Sequence, residues 1–152
     1  MGLYALSTCI LLFLDFAWVY FKMGPMYIEM IPKIQNTEMS VRIPYAVLSY
    51  TLMVVGLCVF VLPNVYNESI SMLDPEKLKN IFFRSMFYGG IFGVVVYGIY
   101  DFTAAAVLSK WDVVVALKDI AWGFAVYVLA AFIPSVLYYV SQKNNAPLSS
   151  RL

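Results

Sequence analysis

The amino-acid sequence predicts an all-α fold, an integral membrane four-helix bundle, on three grounds. Hydrophobic residues make up 62% of the 152 positions and charged residues 12%, about half the roughly 25% charge of a soluble domain. Mean hydropathy is +0.80, and 12 Tyr, 11 Phe and 3 Trp supply the aromatic excess of a lipid-embedded chain. Four segments, near residues 2–21, 43–65, 81–109 and 113–140, are each apolar over the length needed to span a bilayer, about 20 residues of helix. What lies between them is too short for a separate soluble domain. Residues 1–152 therefore read as one transmembrane domain.

The first segment has no Lys or Arg ahead of its apolar run, no Ala-x-Ala pattern, and Asp15 inside it. It reads as a retained helix rather than a signal peptide. Leu6 occupies the position where Ser or Thr is required for myristoylation at Gly2. The connection KMGPMYIEMIPKIQNTEMSVRIP is interrupted by Pro25 and Pro32, while Met26, Tyr27, Met30, Ile31 and Ile34 recur at helical spacing. That pattern suits a short helix lying in the interface or an irregular loop packed on the bundle. In the second connection, Asp74 followed by Pro75 reads as an N-cap with proline at the first helical position. Lys77, Lys79 and Arg84 then fall near the headgroups. The short stretch SKWD forces the third and fourth helices into an antiparallel hairpin. The tail SQKNNAPLSSRL is polar and, alone, expected to be disordered.

Four spans place both termini on one side, with the 66–80 loop. Lys and Arg divide five and five between the two sides, so the positive-inside rule is nearly balanced. Setting aside Lys118, which falls within the fourth span, tips the balance toward cytoplasmic termini. Asn67-Glu68-Ser69 matches a glycosylation acceptor but lies at a membrane boundary and is taken as unused. Cys9 and Cys58 fall within spans, where thiols act as small hydrophobes. With no histidine and no clustered cysteines, no metal site is expected. No other cofactor and no nucleic-acid partner is expected either.

In the third helix Gly89, Gly93, Tyr97, Asp101 and Ala105 recur every four residues, with Gly90, Val94 and Gly98 beside them. Small residues four apart let helix backbones approach closely in lipid. Gly89, Gly93 and Gly98 are thus expected to contact neighbouring helices, and the row carries Asp101 inward.

Two aspartates stand inside apolar helices in nearly the same phrase, LDFAWVYF at residues 14–21 and KDIAWGFA at residues 118–125. Counted from the helix ends, Asp15, Asp101 and Asp119 each lie roughly 10–14 Å from one membrane face at 1.5 Å per residue. An ionised Asp near a helix centre costs about 2.5–3.5 kcal/mol on insertion scales, so such residues face the bundle interior and find partners. Trp18 and Trp122 lie three residues on, sharing the carboxylate's helix face. They are candidate donors, together with Tyr97, Tyr100, Thr103 and Lys118. The expectation is a buried polar cluster of these nine residues.

That cluster admits a structural knot, a proton- or cation-handling site, or a pocket for a lipid headgroup or small ligand. Catalysis is not expected. Gly98-Ile99-Tyr100-Asp101 is similar to the Tyr-Asp of intramembrane aspartyl proteases, but the larger scaffold and the second Gly-x-Gly-Asp element are missing. No Gly-x-Ser-x-Gly, phosphate loop or histidine base is present.

Leu14-Asp15 to Trp18, Pro25 to Tyr27, Gly93 to Thr103 and Asp119 to Gly123 together resemble the DUF2177 family of membrane proteins. That family is found in bacteria and algae and in some large algal DNA viruses. The resemblance covers most of residues 10–130 and leaves out the 66–80 loop and the Asn-rich tail. It implies four helices and supplies no activity. Two functions of different class follow as expectations. One is a structural role in a membrane assembly, such as the lipid layer beneath a viral capsid, with membrane or capsid-associated proteins or further copies as partners. The other is a small transporter or proton-conducting protein using the buried aspartates.

Overall fold

The computed structural model describes residues 2–66 and 76–145, with side chains to residue 142. Among these residues every regular element is helical. Four runs are long and apolar enough to cross a membrane: Leu3–Gln35, Ile43–Tyr66, Glu76–Val107 and Val113–Gln142. The chain is an all-α, multi-pass membrane bundle. Asn67-Glu68-Ser69, Asp74, Pro75 and the end of the polar tail lie outside the described residues.

The first run begins as α1 (Leu3–Trp18), makes one π-helical turn over Val19–Met23 and continues as α2 (Gly24–Gln35). The sequence suggested a break after Lys22 and a separate interfacial helix or loop, but the helical backbone is uninterrupted. The Gly24 N–H reaches back five residues to the Val19 carbonyl. This wider turn directly precedes Pro25, which has no N–H and whose ring crowds the preceding turn. The helix can therefore pass the proline. It ends at Asn36, whose left-handed φ of 57° caps it with an N–H bond to the Pro32 carbonyl at 2.9 Å. Met30 of α2 packs on Trp111 and Ala116, and Lys110 donates to the Lys33 carbonyl at 2.7 Å. In this way α2 covers the tip of the final hairpin.

The second run comprises α3 (Ile43–Gly56), a π-helical turn over Leu57–Val61 and α4 (Leu62–Tyr66). It packs through its second half, where Leu57, Val61, Leu62 and Val65 are buried. In α3 only Gly56 is buried, seated against the Phe92 ring, while Ile43, Tyr45, Val47, Leu48 and Leu52 are exposed. In lipid such apolar surface is at home. The consequence is that the first half of α3 stands off from the bundle, while Met53 and Val54 pack on its core.

The third run contains α5 (Glu76–Arg84), a π-helical turn over Ser85–Gly90 and α6 (Ile91–Val107). A five-residue connection leads into α7 (Val113–Asn145). Asp112 caps α7, accepting from the backbone N–H of Val114 at 2.8 Å and of Val115 at 3.3 Å. Removing an N-cap oxygen typically costs about 1 kcal/mol. Asp112→Ala should lower stability in detergent by that amount, and an unchanged unfolding midpoint would contradict the cap.

Two glycines, Gly93 in α6 and Gly89 in the π-helical turn before it, bring the third run against α7. A side chain at Gly93 would overlap the Gly123 carbonyl, and a Cβ at Gly89 would lie 2.8 Å from the Tyr127 carbonyl oxygen. Gly90 accommodates the Phe124 ring. Gly98 differs from the expectation: it is buried, but a Cβ there meets only Phe102 of its own helix, at 3.8 Å. Five residues past Gly93, it has turned away from the row that touches α7.

Candidate functional site

The two Asp-x-Ala-Trp phrases meet across the α1–α7 interface. The Trp18 indole N–H donates to Asp119 Oδ1 at 2.8 Å, and the Trp122 indole N–H donates to Asp15 Oδ1 at 3.1 Å. The two indoles stack, with centroids 4.7 Å apart and planes 10° from parallel. Equal spacing explains the exchange. Each helix carries Asp and Trp three residues apart, and the helices run in opposite directions. Each Asp is therefore level with the other helix's Trp. The sequence suggested donors on the carboxylate's own helix face, but each indole serves the opposite helix. Tyr97 adds a second donor to Asp15, its hydroxyl 2.5 Å from Oδ1.

Asp15 and Asp119 are 3% and 6% exposed and Asp101 is fully buried. Unlike the other two, Asp101 has no hydrogen-bond partner on either oxygen, and the Trp111 indole nitrogen also lacks one. Trp111 is nevertheless a neighbour of the Asp101 carboxyl. The three carboxylates do not share one depth. Gly93 opposite Gly123 and Gly89 opposite Tyr127 fix an antiparallel register that sets Asp101 level with Val115. Asp15 is level with Trp122, seven residues deeper along α7, or about 10 Å at 1.5 Å per residue. Asp119 stands between them and faces Asp15 on one side and Asp101 on the other. The result is a ladder of carboxylates descending from the hairpin tip. Among the described residues no three His, Cys, Asp or Glu side chains converge as a metal-ligand set.

Three residues expected in the cluster lie elsewhere. Lys118 is exposed; one step along α7 from the inward-facing Asp119, it points outward, where its long stem can snorkel toward headgroups. Thr103 is also exposed, two residues past the buried Asp101 on α6. Tyr100 is 54% exposed and packs edge-on against Trp111, with centroids 5.8 Å apart. It belongs to the rim of a cleft rather than to the buried network.

That cleft, of about 470 Å³, lies where α3 stands away from α1 and α6. Asp15, Asp119 and Tyr97 form its polar wall, Met23, Leu52 and Val96 part of its apolar wall, and Tyr27, Tyr50 and Tyr100 complete its aromatic lining. Phe16 packs on Tyr50 with centroids 4.5 Å apart, which brings α3 close at this level. Tyr27, Tyr50 and Trp111 were not singled out from the sequence as site residues. Tyr50 sits in Ser49-Tyr50-Thr51, the polar break in an otherwise apolar span. Trp111 directly precedes the capping Asp112.

No curated protein and no solved structure matches the chain. A family model described as "Predicted membrane protein (DUF2177)" matches residues 1–136. The match extends beyond the motifs that carry the resemblance and takes in the 66–80 connection they leave out. With most of its length so matched, the chain belongs to the DUF2177 family of membrane proteins.

Proposed function

We propose that the chain is a small, non-enzymatic membrane carrier that handles protons or cations through Asp15, Asp119 and Asp101. The observation that supports this most is the carboxylate ladder meeting an open cleft. A knot that only fixed helix register would be served by one satisfied pair. Here Asp101 is buried with no close hydrogen bond on either oxygen and only the Trp111 indole as a neighbouring donor, and the two other carboxyls border a cavity. Ionisable groups inside a membrane bundle characteristically mark ion and proton pathways. A structural role in a membrane assembly, a virus particle included, finds no such feature among the described residues.

Purified protein reconstituted into vesicles should dissipate an imposed proton or monovalent-cation gradient. Asp119→Asn keeps an acceptor for the Trp18 indole and removes the titrating group, so flux should fall at least tenfold while helicity is kept. Folded parent protein that passes neither protons nor cations would refute the carrier and favour the structural role.

A further inference from the structure

The cleft has a composition that selects its occupant. Two carboxylates border it and, among the described residues, no Lys or Arg does. Four tyrosines, Tyr27, Tyr50, Tyr97 and Tyr100, line it with them. Carboxylates and tyrosine faces both attract a cation, the first by charge-assisted hydrogen bonds and the second through the ring quadrupole. Absence of a basic side chain from the lining leaves nothing to bind a phosphate or carboxylate, and Asp15 and Asp119 would repel one. The remaining wall is apolar, formed by Val19, Met23, Leu52, Met53 and Val96. Its volume of about 470 Å³ falls within the range of small-molecule sites.

Access is from the side. Ser49 and Leu52 of α3 are exposed yet border the cleft, so the gap beside α3 joins the cavity to the surface that lipid covers. A ligand entering there must be soluble in the membrane and still present a positive head to the inner wall. We propose that this cleft binds an amphiphilic organic amine, its ammonium at Asp15 and Asp119 and its apolar tail between the first and second spans. The inference rests on the reading of the Asp15–Asp119 network as the working site and names the class of cation it takes. A phospholipid amine is disfavoured because its phosphate would find no basic partner in the lining.

Radiolabelled decylamine, decanol and decanoate share a tail and differ in head charge, so they can be compared on the protein in lipid nanodiscs, with empty nanodiscs subtracted. Decylamine should bind at least tenfold more tightly than decanol, and decanoate more weakly still. Asp119→Asn should abolish the preference. Ser49→Trp, at an exposed position that takes no part in the Asp–Trp–Tyr hydrogen bonds, should weaken decylamine binding tenfold by filling the mouth, which preserves the test should the Asn variant misfold. Equal binding of amine and alcohol, or amine binding unchanged in both variants, overturns the inference. Vesicle flux of protons or inorganic cations without amine selectivity removes this inference and leaves the carrier standing. Selective amine binding without any flux upholds the inference and removes the carrier.

Discussion

Gly93→Ala should destabilise the bundle by about 3 kcal/mol or more, the upper end of what overpacking a well-filled core costs. The added methyl would overlap the Gly123 carbonyl, which is backbone and cannot rotate aside as a side chain would. Relief requires α6 and α7 to separate, and with them the register that stacks Asp101, Asp119 and Asp15. In a membrane the loss is not offset by hydrophobic contact elsewhere, because lipid tails are as apolar as the helix faces and association depends on close packing. Gly93→Leu should fail to assemble. Gly98→Ala supplies the control within the same helix, since its Cβ would meet only Phe102 at an ordinary 3.8 Å. That variant should change stability by less than about 1 kcal/mol, and a favourable sign is allowed because alanine has fewer unfolded conformations to lose. Reversible unfolding in mixed detergent micelles measures both. Equal effects at the two positions would remove the claim that Gly93, and not Gly98, marks the helix crossing.

These two glycines also show where sequence reading stops. Four apolar runs and a short hairpin follow from hydropathy, and the second span matches the expected 43–65 to within a residue of Ile43–Tyr66. A row of small residues every four positions announces a close crossing. It does not say how far along the helix the crossing persists, because that depends on the angle at which α7 lies. The continuation of the first helix to Gln35 was hidden for a different reason. Pro25 and Pro32 are breakers by local rules, and nothing in the residues signals the π-helical turn that lets the chain pass Pro25. The cleft was invisible because α3 is as apolar as its neighbours. Standing off in lipid changes no residue type, as it would in water.

The repeated Asp-x-Ala-Trp phrase was legible as a pair, and only the antiparallel register shows that the donors are exchanged. That exchange makes Asp15 depend on residues from two other helices, Tyr97 on α6 and Trp122 on α7. Removing both donors by Tyr97→Phe and Trp122→Phe leaves a carboxylate that is 3% exposed without the hydrogen bonds at Oδ1. Each buried acceptor left unsatisfied costs about 1–3 kcal/mol, more where the group is charged. Hydrogen bonds between membrane helices fall at the weak end, averaging about 0.6 kcal/mol, so the single variants should each lose roughly 1 kcal/mol. The double variant should lose more than the sum, about 3 kcal/mol, because the second substitution takes the last of the two donors bonded to Oδ1 and leaves only Tyr50 beside the carboxylate. Adding Asp15→Leu replaces the stranded acceptor with an apolar side chain and should restore most of the stability. A double-mutant cycle on these variants isolates the coupling. If the triple variant is no more stable than the double, the loss comes from ring packing rather than from the carboxylate. The reciprocal Trp–Asp exchange would then be a consequence of the helix contact and not one of its causes.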